Sequence, residues 1–345
     1  MMKGRLLRVS MGLWLAIAGQ MTSAQTTIIR TVAGGGPDGA PGPQASFSQP
    51  GAIAIGQDGT IYFTSRGSHR VFALDRGGEI RPVAGSGVKA YGGDGGPALL
   101  ASLNDPYGLA VDAAGNLYIS DSENSRIRRV DAVTGIITTL AGTGSFGFGG
   151  DGGPAASARL ARPYGLALDV NGHLYVADSG NNVIRRISTD GVITTVAGNN
   201  RGGFAGDGGP AAAASLNSPF GVAFDPGGAM YIADRANNRI RRVAPDGTIS
   251  TWMGNGSSSF GGDGGPAAQA RIGEPQAIAF DTAGNAYIAE TANRRVRRVA
   301  ANGGTVSTLA GNGNISPIAD GGPATTPVTA IGVAVDALGN VYIAD

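Results

Sequence analysis

The chain has 345 residues, with 26 Lys and Arg against 25 Asp and Glu and a formal net charge of +1 at pH 7. Charge this balanced gives no overall field to draw nucleic acid or anionic lipid, and the absence of cysteine leaves packing and ring closure, not disulfides, to hold the fold together. Sixty glycines and 18 prolines mean either low complexity or many turns; their spacing decides between the two.

Lys3, Arg5 and Arg8 make a positive N-terminal segment, Met11 to Ala18 a short apolar run, and Thr22-Ser23-Ala24 a set of small residues before Gln25. That layout is a secretory signal peptide over 1–24. The apolar run is shorter than the roughly 18 residues a membrane span needs. The expectation is a secreted, periplasmic or cell-surface protein of bacterial type, with no membrane span and a mature chain of 25–345. Thr26 to Gly34 then reads as a strand similar to Ile136 to Gly142.

Beyond it one pattern recurs. The run Gly-Gly-Asp-Gly-Gly-Pro-Ala places its aspartate at Asp94, Asp151, Asp207 and Asp263, with altered copies around Asp38 and Asp320. The intervals from Asp94 onward are 57, 56, 56 and 57 residues. Tyr62, Tyr118, Tyr175, Tyr231, Tyr287 and Tyr342 recur in the same phase. In the second copy, Gly108 to Asp112, Leu117 to Asp121, Arg126 to Val130 and Ile136 to Ala141 read as four strands. Turn residues such as Gly115-Asn116 and Thr134-Gly135 separate them. A four-stranded meander every 56 residues or so, followed by a loop of roughly 20 residues, is the pattern of a propeller blade.

The expected fold is therefore all-β: a six-bladed β-propeller of four-stranded antiparallel blades. Small residues at Ala52, Gly108, Gly165, Gly221, Ala277 and Gly332 stand where innermost strands crowd the axis. The sixth copy ends at Asp345 before its third strand, so the last blade is expected to be incomplete at the C-terminus and closed by the N-terminal strand. A chain ending there reads as a fragment of a longer one, in which a further C-terminal domain has room to follow.

Tyr231 to Asp234 followed by Asn237 to Ile240 resembles the core of an NHL repeat, and the resemblance recurs across the mature chain. It implies a propeller fold but leaves function open, since NHL propellers include protein-binding modules, RNA-binding domains, sensor domains and a lyase type that uses histidine-bound zinc. The two histidines, His69 and His173, occupy unrelated repeat positions and supply no such site.

A residue repeated in every copy is most simply explained by blade geometry. The loop aspartates are read as turn caps, with calcium the competing reading; no cofactor or metal site is otherwise expected. Asp121, Asp178, Asp234 and Glu290 are expected to pair with Arg126, Arg239 and Arg295. The pairs Arg128-Arg129, Arg185-Arg186, Arg241-Arg242 and Arg297-Arg298 are read as solvated strand faces, not as a nucleic-acid belt.

Symmetry breaks just before each innermost strand, at Asp105-Pro106-Tyr107, Arg162-Pro163-Tyr164, Ser218-Pro219-Phe220 and Glu274-Pro275-Gln276. These residues belong at the channel mouth. Asp105, Tyr107, Arg162, Tyr164, Ser218, Phe220, Glu274 and Gln276 are the candidate ligand-binding set, with aromatics that plug the channel as the competing reading. The expected function is a non-catalytic extracytoplasmic scaffold that binds a protein, peptide or glycan through its loop face. The alternative is a divalent-metal-dependent lactonase- or lyase-type enzyme with its site in the central channel.

Overall fold

A computed structural model of the protein describes residues 29–33, 47–301, 304–315 and 321–345, together with the backbone of the strands Leu7–Arg8 and Leu13–Ile17. Asp38 and Asp320 lie outside the described residues, as does most of the segment read as a leader.

Five repeats each form a complete antiparallel meander of four strands. Blade 1 runs through Pro50–Ile55, Ile61–Ser65, Arg70–Leu74 and Ile80–Ala84. Blade 2 follows with Pro106–Val111, Leu117–Asp121, Arg126–Val130 and Ile137–Ala141. Blade 3 is built from Pro163–Leu168, Leu174–Asp178, Val183–Ile187 and Ile193–Ala197. Pro219–Phe224, Met230–Asp234, Arg239–Val243 and Ile249–Met253 make blade 4. Pro275–Phe280, Ala286–Glu290, Arg295–Val299 and Val306–Ala310 make blade 5.

The expected count of six blades is corrected to five. The last repeat contributes only Gly332–Val335 and Asn340–Ala344, and its sheet is a composite that pairs Asn340–Ala344 with Leu13–Ile17 and that strand with Leu7–Arg8. The physical reason is that Asn340–Ala344 takes the apolar extended segment Leu13–Ile17 as its outer neighbour, where blades 1 to 5 place their own third strand. Ile29 meanwhile exchanges backbone hydrogen bonds with Gly321 and Gly322, as Ile137 does with Gly95 and Gly96 in blade 2. The strand Arg30–Ala33 that follows it starts from the position of an outermost strand.

The innermost strands sit side by side in a ring, and Gly332–Val335 lies between those of blades 5 and 1. Their small residues are a steric requirement: a Cβ on Gly108 would stand 1.9 Å from the Tyr164 carbonyl oxygen, and one on Gly165 2.4 Å from that of Phe220. Between blades the sheets bury apolar layers, such as Leu109, Ile119 and Ile137 against Val71, Ala84 and Leu103. Fully burying one such aliphatic chain contributes about 1.5–3 kcal/mol.

The glycine-rich loops that lead into blades 2 to 5 each cover the outermost strand of the blade that follows. Pro97 bridges to Ile136, Pro154 to Val192, Pro210 to Thr248 and Pro266 to Thr305. The loop thus protects an edge that would otherwise offer free backbone groups.

The same loops correct two readings of the sequence. Asp94 does not cap its own turn. Its Oδ1 accepts from Arg128 at 2.5 Å and its Oδ2 from Thr139 at 2.6 Å and Tyr91 at 2.9 Å. Arg128, Arg185, Arg241 and Arg297 are fully buried, not solvated, and each bridges two carboxylates: Asp94 and Asp121, Asp151 and Asp178, Asp207 and Asp234, Asp263 and Glu290. Alternation along the third strand decides this, since it turns the first arginine of each pair inward and leaves the second half exposed.

The expected partners Arg126, Arg239 and Arg295 instead lie over the rings of Tyr91, Phe204 and Phe260, at 3.6, 3.8 and 3.7 Å. Burial raises the inner carboxyls, Asp178 and Asp234 to about 6, against the pull of their donors. For Asp94 and Asp207 the hydrogen bonds and the arginine outweigh partial burial, and both are lowered.

Candidate binding site at the channel mouth

Every residue that precedes a channel-mouth proline adopts a left-handed backbone, with φ of 52° at Gln49, 54° at Asp105, 46° at Arg162, 48° at Ser218 and 47° at Glu274. This region is uncommon for non-glycine residues and costs of the order of 1–3 kcal/mol each. The preceding blade supports the geometry. The backbone N–H of Ser218 donates to Asn182 Oδ1 at 2.8 Å, that of Glu274 to Asn238 Oδ1 at 3.0 Å, and that of Asp105 to His69 Nδ1 at 3.3 Å. His69 therefore serves as an inter-blade acceptor, and burial lowers its pKa, which keeps the imidazole neutral for that task.

Hydroxyls fix the next residues. Thr64 donates to the Tyr107 carbonyl at 3.1 Å and Ser120 to the Tyr164 carbonyl at 2.6 Å.

The structure brings the three aromatics of the candidate set into one cluster. Tyr164 and Phe220 stack with centroids 4.1 Å apart, and Tyr107 meets both edge-on at 5.1 Å. Tyr107 is 5% exposed and its hydroxyl crosses the channel to donate to Gln276 Oε1 at 2.7 Å. Burial pushes its phenol well above the usual range. Tyr107 thus forms the floor of the mouth, while Tyr164 and Phe220 remain half-buried. Beneath them lies an axial cavity of about 90 Å³ walled by backbone and aliphatic groups such as Leu109, Leu166 and Ile278.

The charged members surround this cluster in pairs. Asp105 receives a two-point hydrogen bond from Arg66, at 2.8 and 2.9 Å. Glu274 pairs with Arg235 at 2.5 Å and Arg162 with Glu123 at 3.1 Å. Arg66 also lies 4.8 Å from the Tyr107 ring centroid and Arg235 5.3 Å from that of Phe220. The side chain of Ser218 carries no hydrogen bond to another described residue.

Sequence reasoning missed Arg66, Arg235 and Glu123. A signal for the first two existed, because Arg66 and Arg235 occupy one repeat position and each stands 39 residues before its partner carboxylate. The result is an aromatic cluster at the channel mouth surrounded by partly exposed ion pairs.

Fold and site together define a β-propeller of four-stranded blades with a candidate binding surface at the mouth of its axial channel. A model of the Teneurin NHL domain matches residues 87–148 and 144–204, and this match supports an NHL-repeat β-propeller. Among curated proteins, the chain is similar to Protein SUPPRESSOR OF QUENCHING 1, chloroplastic, of Arabidopsis thaliana, 37% identical over 150 residues, which is 41% of this chain and 14% of that protein. It is also similar to Teneurin-4 of Mus musculus, 31% identical over 292 residues, or 71% of this chain and 10% of that one. The chain thus spans a small part of the length of these relatives.

Solved structures share the fold. A Bacteroides thetaiotaomicron protein of unknown function aligns with a TM-score of 0.66 and 17% identity, over 99% of this chain and 82% of its own. A streptogramin B lyase aligns at 0.54 and 14%, covering 86% and 91%. An auxiliary nutrient binding protein from Bacteroides ovatus aligns at 0.57 and 17%, covering 85% and 65%.

Proposed function

We propose that the chain is a non-catalytic extracytoplasmic binding scaffold that recognises a protein, peptide or glycan through the channel mouth on its loop face. The observation that carries this reading is the coincidence of broken symmetry with exposure. The only aromatic residues in the variable set converge there, two of them half-buried, and partly exposed ion pairs surround them. Interfaces favour such aromatic and arginine side chains.

Among the described residues, no three His, Cys, Asp or Glu side chains converge as a metal-ligand set. The loop aspartates that offered a calcium site are engaged by buried arginines. The second point speaks against calcium at these loops, and the metal-dependent enzyme stays the competing reading that the test below addresses. No described helix is long and apolar enough to cross a membrane. The layout of residues 1–24 supports export, and cleavage before Gln25 would remove Leu7–Arg8 and Leu13–Ile17 and free the edge of Asn340–Ala344 that they cover; protein purified from its native envelope is expected to begin at Gln25.

The test is a screen of the full chain against peptide-display and glycan-array libraries, repeated with Tyr164→Ala/Phe220→Ala. Ligands lost in the variant at unchanged melting temperature support the reading. Equal binding by both proteins, or stoichiometric divalent metal with esterase or lyase turnover in the purified chain, overturns it.

A further inference from the structure

A second groove opens on the opposite face, between the turns of blades 4 and 5, with a volume of about 300 Å³. It lies where two departures from the repeat meet. Outermost strands carry an aliphatic residue at one position, Val83, Leu140, Val196 and Leu309, but blade 4 carries Trp252. The turn joining the first two strands places Thr60, Asn116, His173 and Asn285 in the other four blades where blade 4 has Ala229, whose side chain is apolar.

The second change removes one donor from a carboxylate that holds fewer than its counterparts in blades 2 and 5. Asp112 accepts from the backbone N–H of Ala114 and Asn116, the side chain of Asn116 and the hydroxyl of Tyr118. Asp281 accepts the same four from Ala283, Asn285 and Tyr287. Among the described residues, Asp225 accepts only from the Ala229 N–H at 2.9 Å and the Tyr231 hydroxyl at 3.1 Å. Spare acceptor capacity therefore faces a groove whose walls include the half-buried rings of Trp252 and Phe280 and the exposed Thr282.

We infer that this groove binds a neutral saccharide, independently of the channel mouth. A pyranose presents an apolar C–H face beside a ring of hydroxyls. The indole of Trp252 offers a flat apolar surface with a polar N–H at its edge, and Asp225 offers the charge-assisted acceptor that fixes a hydroxyl. The volume stands at the lower end of ligand pockets and suits one or two sugar rings.

A quaternary ammonium, the other natural partner of clustered aromatics, fits less well. Tyr231 packs against Trp252 at 5.0 Å and 82° and against Phe280 at 4.6 Å, so the rings fill one another and enclose no box. Arg242 donates to the Tyr231 hydroxyl at 3.2 Å, and Tyr231 in turn donates to Asp225, so a resident cation already stands behind that carboxylate.

The experiment titrates the full chain calorimetrically with neutral gluco-, manno-, galacto- and xylo-oligosaccharides, and with choline. Blades 2 and 5 carry leucine at the equivalent position, so Trp252→Leu removes the platform with a side chain this fold accepts there, and a thermal melt of the variant separates lost binding from the lost contact with Tyr231. At least one saccharide should bind, weakened about tenfold or more by Trp252→Leu and by Asp225→Asn, and unaffected by Tyr164→Ala/Phe220→Ala. No binding across the series, binding that survives Trp252→Leu, or choline binding that competes with the sugar would overturn the inference. Failure of the channel-mouth reading leaves this result untouched, because the mouth variant is a separate arm.

Discussion

Arg241→Met in blade 4 isolates the device that ties each loop to its blade. The native guanidinium is fully buried, contacts Asp234 at 3.4 Å and Asp207 at 2.5 Å, and donates to the carbonyls of Ala205 and Ser215. Methionine retains most of the apolar stem but leaves Asp234 at zero exposure with no cation. Removing one partner of a buried ion pair costs about 3–5 kcal/mol. Asp207 adds little to that, because it is 36% exposed and can rehydrate while Thr251 still holds it. Asp207→Asn alone should cost only about 1 kcal/mol. Arg241→Met/Asp234→Asn should recover most of the loss, since no charge then stays buried and the amide oxygen still accepts from the Asn217 N–H. Urea unfolding of the three variants measures these differences. An Arg241→Met penalty below about 1 kcal/mol, or an Asp207→Asn penalty equal to it, would refute the argument that the inner carboxylate carries the cost.

Two further outcomes follow from the same geometry. Asp178 and Asp234, raised to about 6 by burial, bind more protons folded than unfolded. Their contribution to stability is therefore full below about pH 4 and is lost as pH rises through 6. Between pH 4.5 and 7 the melting temperature of Asp178→Asn/Asp234→Asn should decline less steeply than that of the wild type, and parallel curves would contradict the assignment. His69→Asn should be nearly silent, because Asn182 and Asn238 perform the same bond in later blades. His69→Ala should lower stability by about 1 kcal/mol, measured by thermal melts, and equal melts for the two variants would show that the acceptor does not matter.

The repeat was legible because glycine, proline and tyrosine mark turns and strand phase, and phase survives divergence. The channel-mouth set was legible for a related reason: comparing copies exposed the positions where Tyr107, Tyr164 and Phe220 break the symmetry. The role of Arg128 and its counterparts was not, because charge pairs read as surface until the third strand is placed beneath a loop 34 residues earlier in the chain. Burial of that kind is a tertiary property. The last sheet escaped for another reason. Pairing between Leu13–Ile17 and Asn340–Ala344 depends on an open edge, and local pattern carries no record of which distant segment fills one. The depth of Tyr107 likewise rests on its reach across the axis to Gln276, a contact between residues 169 positions apart.

Amide hydrogen exchange of the full chain, with and without the tightest peptide selected from a display library, asks most directly whether the channel mouth is where this propeller binds. Protection is expected at 105–108, 162–165 and 218–221, and it should vanish in Tyr164→Ala/Phe220→Ala. Protection confined to the turns of the opposite face, or to blade edges far from the axis, would contradict the account.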